Sequence, residues 1–216
     1  MPGQRPEPTP IFRLVHIDNL AVCLSRGALH APNHTPQDGP VYRTIHRADI
    51  QEGRRVREVR AGARGTVHDY VPFYFGPRSV MLFQLSTGWV PGYAGGQEPL
   101  LHLVTYCQTV AAAGLGFAFS DGHGLARFSD WYGDLADLDK VDWDAVYARV
   151  WRDTPEDMDR QRRKQAEFLV HRSMPWALVG EIGVYNEVAR ERAEAILASH
   201  GRGGTLPVRI QPEWYY

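Results

Sequence analysis

Gln165-Ala166-Glu167-Phe168-Leu169-Val170-His171-Arg172 follows directly on the basic cluster Arg160, Arg162, Arg163 and Lys164. One acidic residue thus stands at the head of a short apolar run whose aromatic and β-branched side chains suit a buried strand. Leading a carboxylate into a core is costly unless it is paired. Glu167 is therefore either surface punctuation at the mouth of a strand or a working group, and the residues around it decide which.

Working outward from this strand, Ala177 to Tyr185 offers Leu178, Val179, Ile182 and Val184 for a second strand. Asn186 then caps a helix running to His200 before Gly201, and Leu206 to Ile210 reads as an edge strand. On the N-terminal side, Asp142 caps a helix predicted to reach Trp151, with Trp143, Val146, Tyr147 and Val150 at helical spacing. Earlier still, 116–121, 100–106 and 66–75 read as strands, 80–85 as a short helix, and 108–114 as a helical turn. Pro72 implies an edge or a bulge in its strand. Ile11 to His16 alternates as a strand, and Asp18 opens a helix whose apolar positions end at Gly27. Residues 1–10 read as a flexible tail, 11–216 as one domain. From Ala28 to Thr66 no periodicity persists, so this stretch reads as a long loop of the kind that serves as a lid or binding loop. Strands and helices mix without a βαβ rhythm, which predicts an α+β fold.

The chain has 216 residues and 44% apolar content, enough for one sizeable core. Lys+Arg 24 against Asp+Glu 25 leaves a net charge of −1, which excludes a generic polyanion binder. The charges are nevertheless uneven. Seven arginines lie between Arg43 and Arg64, and ten acids between Asp130 and Asp159. Only Lys140 and Lys164 are lysine, so the basic charge is almost all guanidinium, suited to bidentate contacts and stacking on bases. Cys23 and Cys107 are too few for a disulfide framework and sit in apolar, periodic segments. No apolar run approaches the ~20 residues a membrane helix needs, and the expectation is a soluble, cytoplasmic protein.

Several polar residues fall where a ligand could be met. Arg13 and His16 flank the first strand, Tyr74 can pack its ring on a planar ligand, Arg54 and Arg55 present adjacent guanidinium groups, and His123 follows a strand end. Each also fits an ordinary surface or core role. The histidines give only loose metal spacings, and no metal site is expected. Neither a GxGxxG helix opening nor a P-loop is present.

The segments His16-Ile17-Asp18-Asn19-Leu20, Asp49-Ile50-Gln51 with Arg54-Arg55, Thr66 to Phe75, Asp121-Gly122-His123 and Gln165 to Val170 closely resemble the DarT family, in the same order along nearly the whole chain. These are DNA ADP-ribosyltransferase toxins neutralised by a DarG antitoxin that carries a macrodomain. The resemblance implies an ADP-ribosyltransferase fold, two small sheets around an NAD+ cleft, and transfer of ADP-ribose to a thymine of single-stranded DNA. It further implies that Glu167 is the catalytic glutamate and Arg54 the catalytic arginine, with Arg55 a competing alignment. Arg13, His16, Asn19, His68, Tyr74 and Arg55 become positions of the NAD+ cleft, and His123 one near the DNA. Arg13 stands where the family carries histidine. On this reading Arg160, Arg162 and Arg163 would hold the DNA backbone and Trp151 would stack an exposed base. An ADP-ribosyltransferase acting on RNA or protein, and an inactive nucleic-acid-binding relative, are the alternatives.

Overall fold

The computed structural model describes residues 3–216. Among them ten strands form: β1 (Pro10–His16), β2 (Ala28–His30), β3 (Tyr70–Tyr74), β4 (Leu100–Tyr106), β5 (Phe117–Ser120), β6 (Trp131–Tyr132), β7 (Glu167–His171), β8 (Ser173–Pro175), β9 (Glu181–Val184) and β10 (Val208–Ile210). Eight make one sheet in the order β10-β9-β4-β1-β3-β7-β5-β6, and β2 pairs with β8 in a separate ribbon. All pairings are antiparallel except that of β9 with β10.

The large sheet behaves as two four-stranded halves. β1 and β4 pair continuously from Pro10↔Tyr106 to His16↔Leu100, and β3 pairs with β7 from Tyr70↔His171 to Tyr74↔Glu167. Between the halves, β1 meets β3 only at Phe12↔Tyr74. The two small sheets expected around a cleft are therefore joined through one residue pair, and the backbone opens beyond it. Arg13 bridges this opening, donating from Nη1 to the Pro72 carbonyl at 3.0 Å. A strand residue points its N–H and C=O to the same side, so the donor that Pro72 lacks also faces the opening. Pro72 is thus an interior-strand proline placed where no ladder bond is missing, rather than a mark of the sheet's edge.

The described residues also form seven α-helices: α1 (Leu20–Arg26), α2 (Ala48–Val56), α3 (Val80–Ser86), α4 (Cys107–Ala112), α5 (Trp143–Tyr147), α6 (Arg160–Lys164) and α7 (Glu187–Ser199). Local chemistry sets their ends. α1 stops at Gly27, whose φ of 64° is the left-handed cap that a residue with a Cβ resists. Ser79, Asp142 and Asn186 each accept a backbone N–H of the first turn of the helix that follows. The main core lies between one face of the sheet and α1, α5 and α7. It includes Ile11, Val71, Phe73, Leu103, Phe168, Val170, Trp143 and Ala193. Cys23 and Cys107 are buried there as free thiols. A smaller cluster of Leu14, Leu82, Leu85, Tyr93 and Tyr215 fills the other face beside β1 and β4.

Three expectations need correction. The flexible tail does not extend to residue 10: Pro10 opens β1, and Thr9 is buried with its N–H donated to Gln108 Oε1. Residues 1–2 lie outside the described residues. The stretch from Ala28 to Thr66 is no continuous loop, since it contains β2 and α2, a polar helix whose apolar side chains are only Ala48, Ile50 and Val56 and whose one buried residue is Arg54. Finally, α5 ends at Tyr147 rather than Trp151, because Ala148 turns extended and the Lys164 ammonium takes the Val146 and Ala148 carbonyls at 2.6 and 2.9 Å.

Candidate active site

Glu167 is the first residue of β7 and pairs with Tyr74, the last of β3. Directly opposed residues of an antiparallel pair point to the same side, so both side chains enter the space where the sheet halves part. This space is a cleft of about 460 Å³. Its walls come from β1, β3, α2, the end of β7 and the segments before and after α2. Arg13, Asn19, Arg54, His68, Tyr74, His123 and Glu167 all line it.

Glu167 is 3% exposed and is held by three N–H donors. Arg54 grips it with both terminal nitrogens, Nη1 to Oε1 at 3.1 Å and Nη2 to Oε2 at 2.8 Å. The backbone N–H of Gly124 adds a bond to Oε1 at 3.0 Å. A Cβ on Gly124 would collide with the Glu167 carboxylate, so this donor approaches because the residue is glycine. A carboxylate offers about four lone-pair sites, so one remains on Oε2 for a ligand. Burial alone would depress the pKa of the Arg54 guanidinium, and the charge and hydrogen bonds of Glu167 more than reverse this. Arg54 thus stays a cation inside the protein.

The helix α2 sends the two neighbouring arginines to different surroundings. Ile50 and Arg54, four residues apart, share the cleft-facing side. Arg55 lies one residue, a hundred degrees, further round; it is exposed and paired with Glu52 on its own helix at 2.7 Å. Its expected place in the cleft is therefore corrected. Asp49 in the first turn and Arg54 and Arg55 in the last complement the helix dipole, which helps a helix with so little apolar surface to form.

The other cleft residues are fixed by specific partners. Asn19 exchanges two hydrogen bonds with the Arg43 backbone, at 2.9 and 2.6 Å, and so holds the segment leading into α2. His68 Nε2 lies 3.1 Å from Gln51 Oε1. Burial lowers the pKa of His68, and the nearby Arg54 lowers it further. His123 is also lowered by burial, with Glu167 opposing the shift. Both imidazoles are neutral at neutral pH. Burial pushes Tyr74 up to about 12, and the Glu167 charge adds to the effect, so its phenol stays protonated.

His16 does not line the cleft: it is buried, its Nδ1 accepts the Asp18 N–H, and its ring packs edge-on to Tyr93. Trp151 is not an exposed platform either. Its indole is buried against Phe83 and donates to the Tyr216 hydroxyl at 2.8 Å. Arg162 bonds to Asp159 and Asp121, and Arg163 to Asp142 and Asp157, so both are paired with the acidic stretch beside them. Arg160 has no ion pair among the described residues. Gly124 and Met81 belong to the site although the sequence did not mark them, and Gln51 and Gln165 line it within segments that carry the family resemblance but had no role read for them. Among the described residues, no group of three or more His, Cys, Asp or Glu side chains could hold a metal ion, and no helix is long and apolar enough to cross a membrane.

A mixed sheet parted into two halves, with a buried carboxylate at the head of a strand facing the cleft between them, defines an enzyme with an ADP-ribosyltransferase-like fold. The family model described as DarT, ssDNA thymidine ADP-ribosyltransferase, matches residues 12–216, and the chain belongs to this family. A DNA ADP-ribosyl transferase of Thermus sp. (strain 2.9) is 44% identical over 211 residues, covering 98% of each chain. The structure of Thermus sp. 2.9 DarT in complex with ADP-ribosylated ssDNA matches with a TM-score of 0.92 and 43% identity over the whole of both chains. The same protein in complex with NAD+ matches with a TM-score of 0.87 and 41% identity over 99% of this chain and 100% of that one.

Proposed function

We propose that the chain breaks the bond between nicotinamide and ribose in NAD+ and joins the ribose C1′ to N3 of a thymine in single-stranded DNA. The observation that carries this reading is the buried, bidentate pair of Arg54 and Glu167 at the wall of the cleft. As the nicotinamide leaves, positive charge develops on the ribose. The remaining lone pair of Glu167 Oε2 accepts a ribose hydroxyl, and the carboxylate stabilises that charge as it forms. Three fixed N–H donors mean that the carboxylate need not reorganise during the step.

Thymine N3 loses its proton as it attacks, and negative charge spreads onto the flanking carbonyl oxygens. Arg54 uses two of its five N–H groups on Glu167; the rest are available to that developing anion. A permanent cation is no base, so the proton passes to Glu167 or to a neutral imidazole, of which His123 lines the same cleft. In a duplex the N3 edge is paired and hidden, which is why the substrate is a single strand. Arg13, Asn19, His68 and Tyr74 are the residues assigned to the NAD+ side.

Membership of the DarT family also supports a role as the toxin of a toxin–antitoxin pair, with a DarG-type macrodomain antitoxin as partner and the cytoplasm as the place of action. The enzymatic reading is tested by incubating the pure protein with NAD+ and a panel of oligonucleotides and measuring intact mass. The expected result is a gain of one ADP-ribose on thymine-containing single strands, lost with Glu167→Ala. A gain on RNA or protein acceptors alone would overturn the substrate.

A further inference from the structure

Residues 121–130 connect β5 to β6, and the two halves of this loop face different surroundings. The first half enters the cleft, where His123 lines the wall and Gly124 donates to Glu167. The second half projects outward. Phe128 is 82% exposed, and Arg127 beside it is exposed with no ion pair among the described residues.

This exposure is not the looseness of an untethered loop. Ser129 is buried, and its hydroxyl donates to the His123 carbonyl at 2.8 Å. The Asp130 N–H bonds to Asp121 Oδ1 at 3.0 Å, and Arg162 Nη1 bonds to the same oxygen at 2.9 Å. Arg57, at the end of α2, clasps the carbonyls of Gly124 and Ala126 at 3.0 and 2.9 Å. Gly53 of the same helix packs on Leu125 so closely that a Cβ there would stand 3.1 Å from its Cδ1. The loop is thus bolted to the helix that carries Arg54, with a whole phenyl group held in water.

Leaving such a ring in water forgoes the stabilisation that burial would give. Trp89, another exposed aromatic, is at least partnered edge-on by Phe83 at 6.4 Å. Phe128 instead stands next to an unpaired guanidinium, on a loop whose other end holds the catalytic carboxylate. A rigid π-face beside a free cation suits one kind of partner, a single strand whose bases are unstacked and whose backbone is anionic. Resting on the function proposed above, we infer that Phe128 is a stacking platform for a base of the substrate strand flanking the modified thymine, with Arg127 on the adjoining phosphate. Because the loop is already fixed, binding pays little ordering entropy there.

The test is steady-state ADP-ribose transfer to a thymine-containing oligonucleotide by wild type, Phe128→Ala and Phe128→Trp. Phe128→Ala is expected to raise the oligonucleotide KM about tenfold while the KM for NAD+ stays within about twofold of wild type. Phe128→Trp restores the oligonucleotide KM, since any aromatic face serves. An oligonucleotide KM unchanged in Phe128→Ala would overturn the inference while leaving the function intact. An equal rise in both KM values would also overturn it, by showing that the residue acts through the fold. A wild type that modifies no strand overturns the proposed function and this inference together.

Discussion

Glu167 and Asp159 receive nearly the same bond. Arg54 reaches Glu167 with two guanidinium nitrogens at 3.1 and 2.8 Å, and Arg162 reaches Asp159 with two at 2.7 and 2.8 Å. Their surroundings differ: the Glu167 side chain is 4% exposed at the wall of a cavity, and that of Asp159 is 52% exposed on α6 and its approach. Water screens the outer pair, which contributes at most about 1 kcal/mol. The inner pair is desolvated at the wall of the cleft, and its bonds leave one carboxylate lone pair and three guanidinium N–H groups unspent. The pairing of charges does not mark a working site; burial at a cavity with unspent hydrogen-bonding capacity does.

The contrast can be broken most directly at Arg54. Arg54→Ala leaves Glu167 buried without its cation, so stability should fall by about 3–5 kcal/mol, read as a lower denaturant midpoint. ADP-ribose transfer should be lost while NAD+ binding to the folded fraction persists. A stability change as small as that of a surface pair would mean the inner pair is screened after all. Glu167→Gln keeps the side chain's shape and removes its charge; transfer should drop by about a hundredfold or more, measured by intact mass over time. If Gln supports near-normal turnover, stabilisation of positive charge by Glu167 is the wrong account.

A pH–rate profile sharpens the same point. Burial holds the His123 pKa below the ordinary 6.5, with Glu167 opposing but not cancelling the shift. The imidazole therefore stays neutral as pH falls through 6.5, and transfer should remain flat there and decline only at lower pH. A decline centred above 6.5 would show that His123 gains a proton more readily than its burial allows. The smallest effect belongs to Asp159→Ala: a loss of at most about 1 kcal/mol in stability and an unchanged rate of transfer. A rate loss comparable to that of Glu167→Gln would erase the distinction between the two pairs.

Most of the frame was legible because hydrophobic patterning and caps are local signals. β1, β4 and α7 stand within a residue or so of where alternation, apolar runs and Asn186 place them. α2 was not legible, since the side it buries is made of an arginine and the walls of a cavity rather than leucines. That failure carried over to the site: without the helix, Arg54 and Arg55 are equivalent neighbours, and only the hundred-degree rotation between successive helical residues separates the one that enters the cleft from the one that meets solvent. Trp151 was misread for a related reason. It was read at the end of a longer α5, but Lys164, itself buried, ends that helix four residues earlier, and Trp151 turns in to pack on Phe83. The donor at Gly124 is a backbone N–H, which no side-chain motif encodes.

The single pair Phe12↔Tyr74 that joins the two halves of the sheet has a mechanical meaning. Ladders on either side resist shear through several cooperative hydrogen bonds, whereas the junction is tied by one residue pair and the Arg13 side chain. Bending of the sheet concentrates at such a compliant seam. Amide protons of β1 on the β3 side should accordingly exchange with solvent faster than those facing β4, and opening at this seam is expected to set the width of the cleft.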